Sequence, residues 1–140
     1  MTSAPRPPLF LSLAWDDELR FTADSDHVQM VFDGNAQAGP SPMQALAGSL
    51  AGCMAIDVLS ILKKGRHPVT SLRVALKASR AEGTPARFTA VELQFRIGGV
   101  VPLEAIERAI DLSRERYCSV WHTLRQDLAL STSFEVDASA

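Results

Sequence analysis

The stretch "SPMQALAGSLAGCMAIDVLSILKKG", residues 41–65, constrains this chain more than any other. Residues 45–62 are nearly all apolar, yet Cys53 and Asp57 stand one turn apart inside the run. The start is marked chemically. Ser41 suits the N-cap, Pro42 the first helical position and Gln44 the third, which closes a capping box. Lys63 and Lys64 complement the C-terminal dipole, and Gly65 reads as the stop. The pattern predicts a helix of about 22 residues, roughly 33 Å long at 1.5 Å per residue.

A membrane span is one setting for such a helix. It would hold Asp57 near its middle at a cost of about 2.5–3.5 kcal/mol. The neighbouring segments are amphipathic strands that need a water-facing side, so the span is rejected. A core helix that is apolar all round must be covered all round. Ala47, Gly48, Ala51, Gly52 and Ala55 form a strip of small residues that lets another backbone approach closely. One small domain cannot cover the helix on every side. A partner subunit is therefore expected, with the helix at a homodimer interface.

Residues 9–15 and 19–23 read as short strands. "HVQMVFDG" alternates Val28, Met30 and Phe32 against Gln29 and Asp33, and a Gly34-Asn35 turn closes it. After the long helix, residues 70–79 put Leu72, Val74, Leu76 and Ala78 on one face. "AEGTPA" reads as a hairpin loop, and residues 88–97 repeat the alternation with Val91, Leu93, Phe95 and Ile97. Pro102 opens an amphipathic helix with the stripe Leu103, Ile106, Ile110 and Tyr117. Ser119 is placed to cap a short helix carrying Trp121 and Leu124, and "LSTSFEV" reads as a final edge strand. The order βββ-α-ββ-αα-β argues for an α+β fold with mainly antiparallel sheet. The 140 residues form a single expected domain, with residues 1–8 as an extended, proline-rich lead-in.

Fourteen Lys and Arg against 16 Asp and Glu leave a net charge of −2, with no basic excess for nucleic acid and no charged run for a membrane surface. "MTSAPRPPLF" lacks the features of a secretory signal, so a cytoplasmic setting is expected. There Cys53 and Cys118 would be thiols rather than a structural disulfide. No CxxC occurs, and His27, His67 and His122 form no zinc-ligand pattern. Nucleotide-binding glycine loops and a GxSxG elbow are absent as well, so neither metal nor cofactor is expected.

The thiols carry the remaining chemistry. A buried cysteine is usually a small inert hydrophobe. Asp57 would disfavour a Cys53 thiolate, so a reactive Cys53 needs a cation from elsewhere. Cys118, next to a predicted helix start and near Arg114 and Arg116, looks better activated by its neighbours in sequence. Residue chemistry alone does not choose between them. Asp57 is equally placed to hold a cation or to make a core hydrogen bond.

"SPMQALAGSLAGCMAIDVLSILKK", "RYCSVWHTL" and the meander containing "AWDDELRFTA" together resemble the OsmC/Ohr family of thiol-dependent peroxidases. The resemblance covers nearly the whole chain, and it is greatest to a branch with a "GC..iDv.siLKK" signature. It implies an OsmC-like fold, with antiparallel sheets around a long central helix in an intertwined homodimer. Cys53 matches the peroxidatic cysteine, Cys118 the resolving one, and Arg20 the arginine that favours the thiolate. The implied activity is reduction of organic or lipid hydroperoxides, with a thiol reductant, such as a dithiol, restoring the enzyme. Weaker matches place Met43, Gln44, Tyr117 and Trp121 along the substrate pocket. One position departs from the family pattern. The glutamate expected right after the helix-opening proline is Met43 here, and Gln44 beside it serves the capping box. Two other readings stand beside the peroxidase: a non-catalytic dimer binding a small apolar ligand in the interface groove, and a thioesterase-like hot-dog domain. The two short helices before the last strand argue against the second.

Overall fold

A computed structural model describes residues 4–137. Its elements are β1 (Ser12–Asp17), β2 (Arg20–Ser25), β3 (Val28–Asp33), α1 (Pro42–Lys64), β4 (Ser71–Arg80) and β5 (Phe88–Gly98). Then follow α2 (Leu103–Leu112), a π-helical turn (Ser113–Tyr117), α3 (Ser119–Thr123) and β6 (Ala129–Asp137). The α+β class and the element order are those expected, with the π turn as an addition. The chain divides after Leu46 into two compact units.

The first unit is an antiparallel meander in the order β1-β2-β3. β1 begins three residues and ends two residues later than the sequence suggests, and β2 begins one and ends two later. Asp33 closes β3 and is buried, its carboxylate accepting backbone N–H groups from Asn35, Gln37 and Ala38. These bonds organise the turn that leads to α1.

The second unit holds the core. β5 is the central strand of a sheet ordered β4-β5-β6. Its Val91, Leu93, Phe95 and Ile97 are buried, while Glu92, Gln94 and Arg96 between them are exposed, the two-residue period of a strand with one wet face. Leu50, Met54, Val58 and Leu62 of α1, spaced four apart, are buried in the same apolar cluster with Ile106, Ala109 and Ile110 of α2. By length and composition α1 could cross a membrane. Here that four-residue stripe is core, whereas Gly48, Ile56 and Ser60 are exposed on its other side.

β6 departs from the expected antiparallel sheet. It lies at the edge, as the sequence suggests, but pairs with β5 in parallel, Val91 opposite Leu130 and Phe95 opposite Phe134. A parallel return needs a crossover of a dozen or more residues. The segment from α2 to α3 is that crossover. It leaves β5 through Gly99, whose φ is +110 and where a Cβ would lie 2.2 Å from the Pro68 carbonyl oxygen.

Both ends of α1 are fixed locally. The Ser41 N–H donates to Gln44 Oε1 at 2.9 Å and the Gln44 N–H to Ser41 Oγ at 3.2 Å, a complete capping box. At the other end Arg66, not Gly65, takes the left-handed conformation, with φ 61. Its N–H reaches the Lys63 carbonyl and that of His67 the Leu62 carbonyl, which is the Schellman pattern with Gly65 at the C-cap.

The expected stripe on α2 also changes. Ile106 and Ile110 are buried, but Leu103 and Tyr117 are exposed. Leu103 is the first residue of the helix. Tyr117 would be in phase in a continuous α-helix. The switch to i→i−5 bonding, with the Cys118 N–H donating to the Ser113 carbonyl at 2.8 Å, adds a residue to the turn and rotates it outward.

Candidate functional site: two thiols and a carboxylate

Cys53 and Asp57 lie four residues apart on α1 and so share a face. Both are half-buried, at the margin of the core stripe. The π turn and α3 bring Cys118 against them. The two Sγ atoms and an Asp57 carboxylate oxygen all lie within 4.8 Å of one another. Both cysteines are free thiols. A disulfide needs sulfurs about 2.05 Å apart, so side-chain rotation and a small helix adjustment would have to close less than about 3 Å.

Each partner is held by a specific contact. Ser113, fully buried, donates from Oγ to Asp57 Oδ2 at 2.8 Å. Asp57 thus makes the core hydrogen bond that a carboxylate in an apolar helix requires. Cys118, not Ser119, is the N-cap of α3, and its Sγ accepts the Trp121 N–H at 3.3 Å. Trp121 is itself buried, with the Arg114 guanidinium 5.9 Å from its ring centroid.

The sequence neighbours of Cys118 suggest an activated thiol, and the structure reverses that reading. Cys118 is fully buried, and its pKa is raised from an ordinary 9.0 to about 11, with burial the largest cause. The Trp121 N–H pulls the other way, but hydrogen bonding and charge interaction with Cys53, together with the Asp57 charge, add to the rise. Arg114 and Arg116 sit instead over the Trp121 and Tyr117 rings. His122 is exposed, with Nε2 3.0 Å from the Arg114 carbonyl oxygen.

The structure therefore joins Cys53, Cys118 and, from the weaker set, Trp121, whose N–H caps the second thiol. Met43 is half-buried and Gln44 exposed in the first turn of α1, where Gln44 is engaged in the capping box. Tyr117 is exposed. Arg20 belongs to the first unit. It stands opposite Asp33 across β2–β3. The Asp33 pKa lies below the usual range, chiefly through the Ala38 and Asn35 N–H groups, with a smaller contribution from Arg20. Sequence reasoning missed Ser113. A lone serine after an amphipathic helix carries no signal, although Asp57 in an apolar run does announce that some donor must meet it.

A family model described as OsmC-like protein matches residues 33–133. Protein YhfA of Escherichia coli is 40% identical over 128 residues, spanning 89% of this chain and 96% of YhfA. The crystal structure of a hypothetical protein from Aquifex aeolicus superposes with a TM-score of 0.87 at 30% identity, covering 94% of this chain and 98% of that one. An organic hydroperoxide resistance protein from Elizabethkingia anophelis shares the fold at 14% identity, with a TM-score of 0.69 and coverage of 96% and 100%.

Proposed function

This chain belongs to the OsmC-like protein family, and from that membership and its adjacent thiols we propose that it is a homodimeric, thiol-dependent peroxidase acting on organic and lipid hydroperoxides. The observation that carries the reading is the approach of Cys53 and Cys118 to within 4.8 Å from positions 65 residues apart in sequence. The hydroperoxide resistance activity in the name of the Elizabethkingia protein supports it at the level of the fold.

The difference in exposure supports the division of roles. Cys53 is half-buried and reachable, whereas Cys118 is enclosed and its thiolate disfavoured. The Cys53 thiolate attacks the terminal peroxide oxygen and the O–O bond breaks. The leaving alkoxide takes a proton to become an alcohol, and Cys53 is left as a sulfenic acid. The Cys118 sulfur then displaces water from that sulfenic acid to form the disulfide. A dithiol reductant takes up the oxidation by exchange and returns both thiols. Arg20 is assigned by resemblance as the cation favouring the Cys53 thiolate. Met43, at the position of the family glutamate, leaves that arginine to be oriented by another group. The reducing cytoplasm suits this cycle.

The homodimer part of the proposal rests on uncovered apolar surface. Ile56 is 70% exposed on α1, and a Cβ placed on Gly48 or Gly52 would meet nothing within 4 Å. Leu13, Trp15 and Phe21 of the first unit are exposed as well. Surfaces of this kind mark protein contacts.

The test is to titrate fully reduced protein with stoichiometric cumene hydroperoxide and map the products by intact mass and peptide analysis. A rapid Cys53–Cys118 disulfide, absent in Cys53→Ser, is expected. Two thiols surviving excess peroxide would refute the peroxidase reading. One observation favours the alternative, an apolar-ligand carrier: the first unit contains an almost wholly apolar hollow lined by Leu13, Leu19, Phe21, Phe32 and Pro42. Co-purification of a bound lipid by a protein inert to peroxide would select it.

A further inference from the structure

Cys53, Asp57 and Cys118 present three ligating atoms to one point, all within 4.8 Å of one another. Tetrahedral zinc binds sulfur at about 2.3 Å and carboxylate oxygen at about 2.0–2.2 Å, which sets neighbouring ligand atoms roughly 3.5–3.8 Å apart. Reaching that spacing from the observed one draws the three atoms together by about 1 Å. The supporting contacts are those of a ligand set. The Asp57 carboxylate is oriented by the Ser113 hydroxyl, which donates to Oδ2 at 2.8 Å. Cys118 is oriented by the Trp121 N–H at 3.3 Å. Two thiols and a carboxylate also gather potential negative charge in a half-buried setting, where a divalent cation neutralises what side chains alone would have to bear. Thiolates select soft or borderline metals over magnesium or calcium.

We propose that the reduced protein binds one zinc ion through Cys53, Asp57 and Cys118, with the fourth position open to solvent. As each Zn–S bond forms, the thiol releases its proton to water. The site uses the same two thiols as the proposed peroxidase chemistry but does not depend on that chemistry. Zinc and peroxide compete for the thiols, and a Cys53–Cys118 disulfide, having no thiolate left to offer, releases the metal.

Reduced full-length protein would be loaded with zinc and examined by native mass spectrometry and by competition with a chromophoric chelator. One zinc per chain is expected, and none after the disulfide forms. Asp57→Asn should weaken binding about tenfold or more while keeping an acceptor for Ser113. Cobalt(II) added to the unsubstituted protein should give the intense visible bands of a tetrahedral ion and thiolate charge-transfer absorption, a readout that needs no variant. Failure of reduced protein with two titratable thiols to bind zinc would overturn the proposal, as would an affinity unchanged by Asp57→Asn. A rapid disulfide without zinc binding sinks the metal site alone. Zinc binding with both thiols surviving peroxide sinks the peroxidase alone.

Discussion

Iodoacetamide added to the reduced, folded protein near neutral pH should modify Cys53 well before Cys118. The size of the difference follows from the Cys118 environment. With its pKa at about 11 rather than 9.0, the thiolate fraction near neutrality drops about a hundredfold. A more basic thiolate is a better nucleophile, and a Brønsted slope of about 0.4–0.5 returns roughly six- to tenfold of that loss. Relative to an ordinary thiol, a handicap of roughly tenfold remains from ionisation alone. Complete burial of Cys118 adds a steric barrier that half-buried Cys53 does not share. The assay is a labelling time course quenched in acid and read by peptide mass spectrometry, repeated in guanidinium chloride, where the preference should vanish. Equal labelling rates in the folded protein would refute both the enclosed environment of Cys118 and its assignment as the second thiol to react.

The same shift makes stability pH-dependent. Because the folded thiol of Cys118 holds its proton more tightly than the unfolded one, its contribution is intact below about pH 9 and is lost as pH rises towards 11. Chemical denaturation across that range should show the decline, and Cys118→Ala should flatten it. Ser113→Ala removes the donor to half-buried Asp57 and should cost roughly 1.5–3 kcal/mol, visible as a melting temperature lowered by several degrees; an unchanged melt would mean that water replaces Ser113 freely. Ile56→Glu should convert a dimer to monomer in sedimentation velocity, and a monomeric unsubstituted protein would remove the homodimer from the proposal. Arg66→Gly relieves a left-handed residue at φ 61 and should stabilise the fold by up to about 1 kcal/mol, measured by urea denaturation.

What was legible in the sequence is what short-range chemistry decides. The capping box of α1 needs only Ser41 and Gln44, three positions apart, and it forms as expected. The alternation in β5 states which residues are buried because a strand repeats every two residues. The core stripe of α1, Leu50, Met54, Val58 and Leu62, was not legible in the same way, because a run that is apolar all round does not say which face turns to the core. Asp57 in an apolar run stood out in the sequence too, but a cation and a core hydrogen bond fitted it equally, and only the fold shows Ser113 as its partner.

Tertiary structure decided the rest, since it depends on where distant segments land. Only the crossover through α2 and α3 makes β6 return parallel to β5 and places Cys118 beside Cys53. Read along the chain, Cys118 has arginines for neighbours and looks like an activated thiol. In the fold those arginines lie over aromatic rings, and the thiol is buried between Cys53 and Asp57, which reverses the sign of its pKa shift. The reason is physical: helix caps and strand alternation act over a few residues, whereas desolvation depends on everything packed around the group.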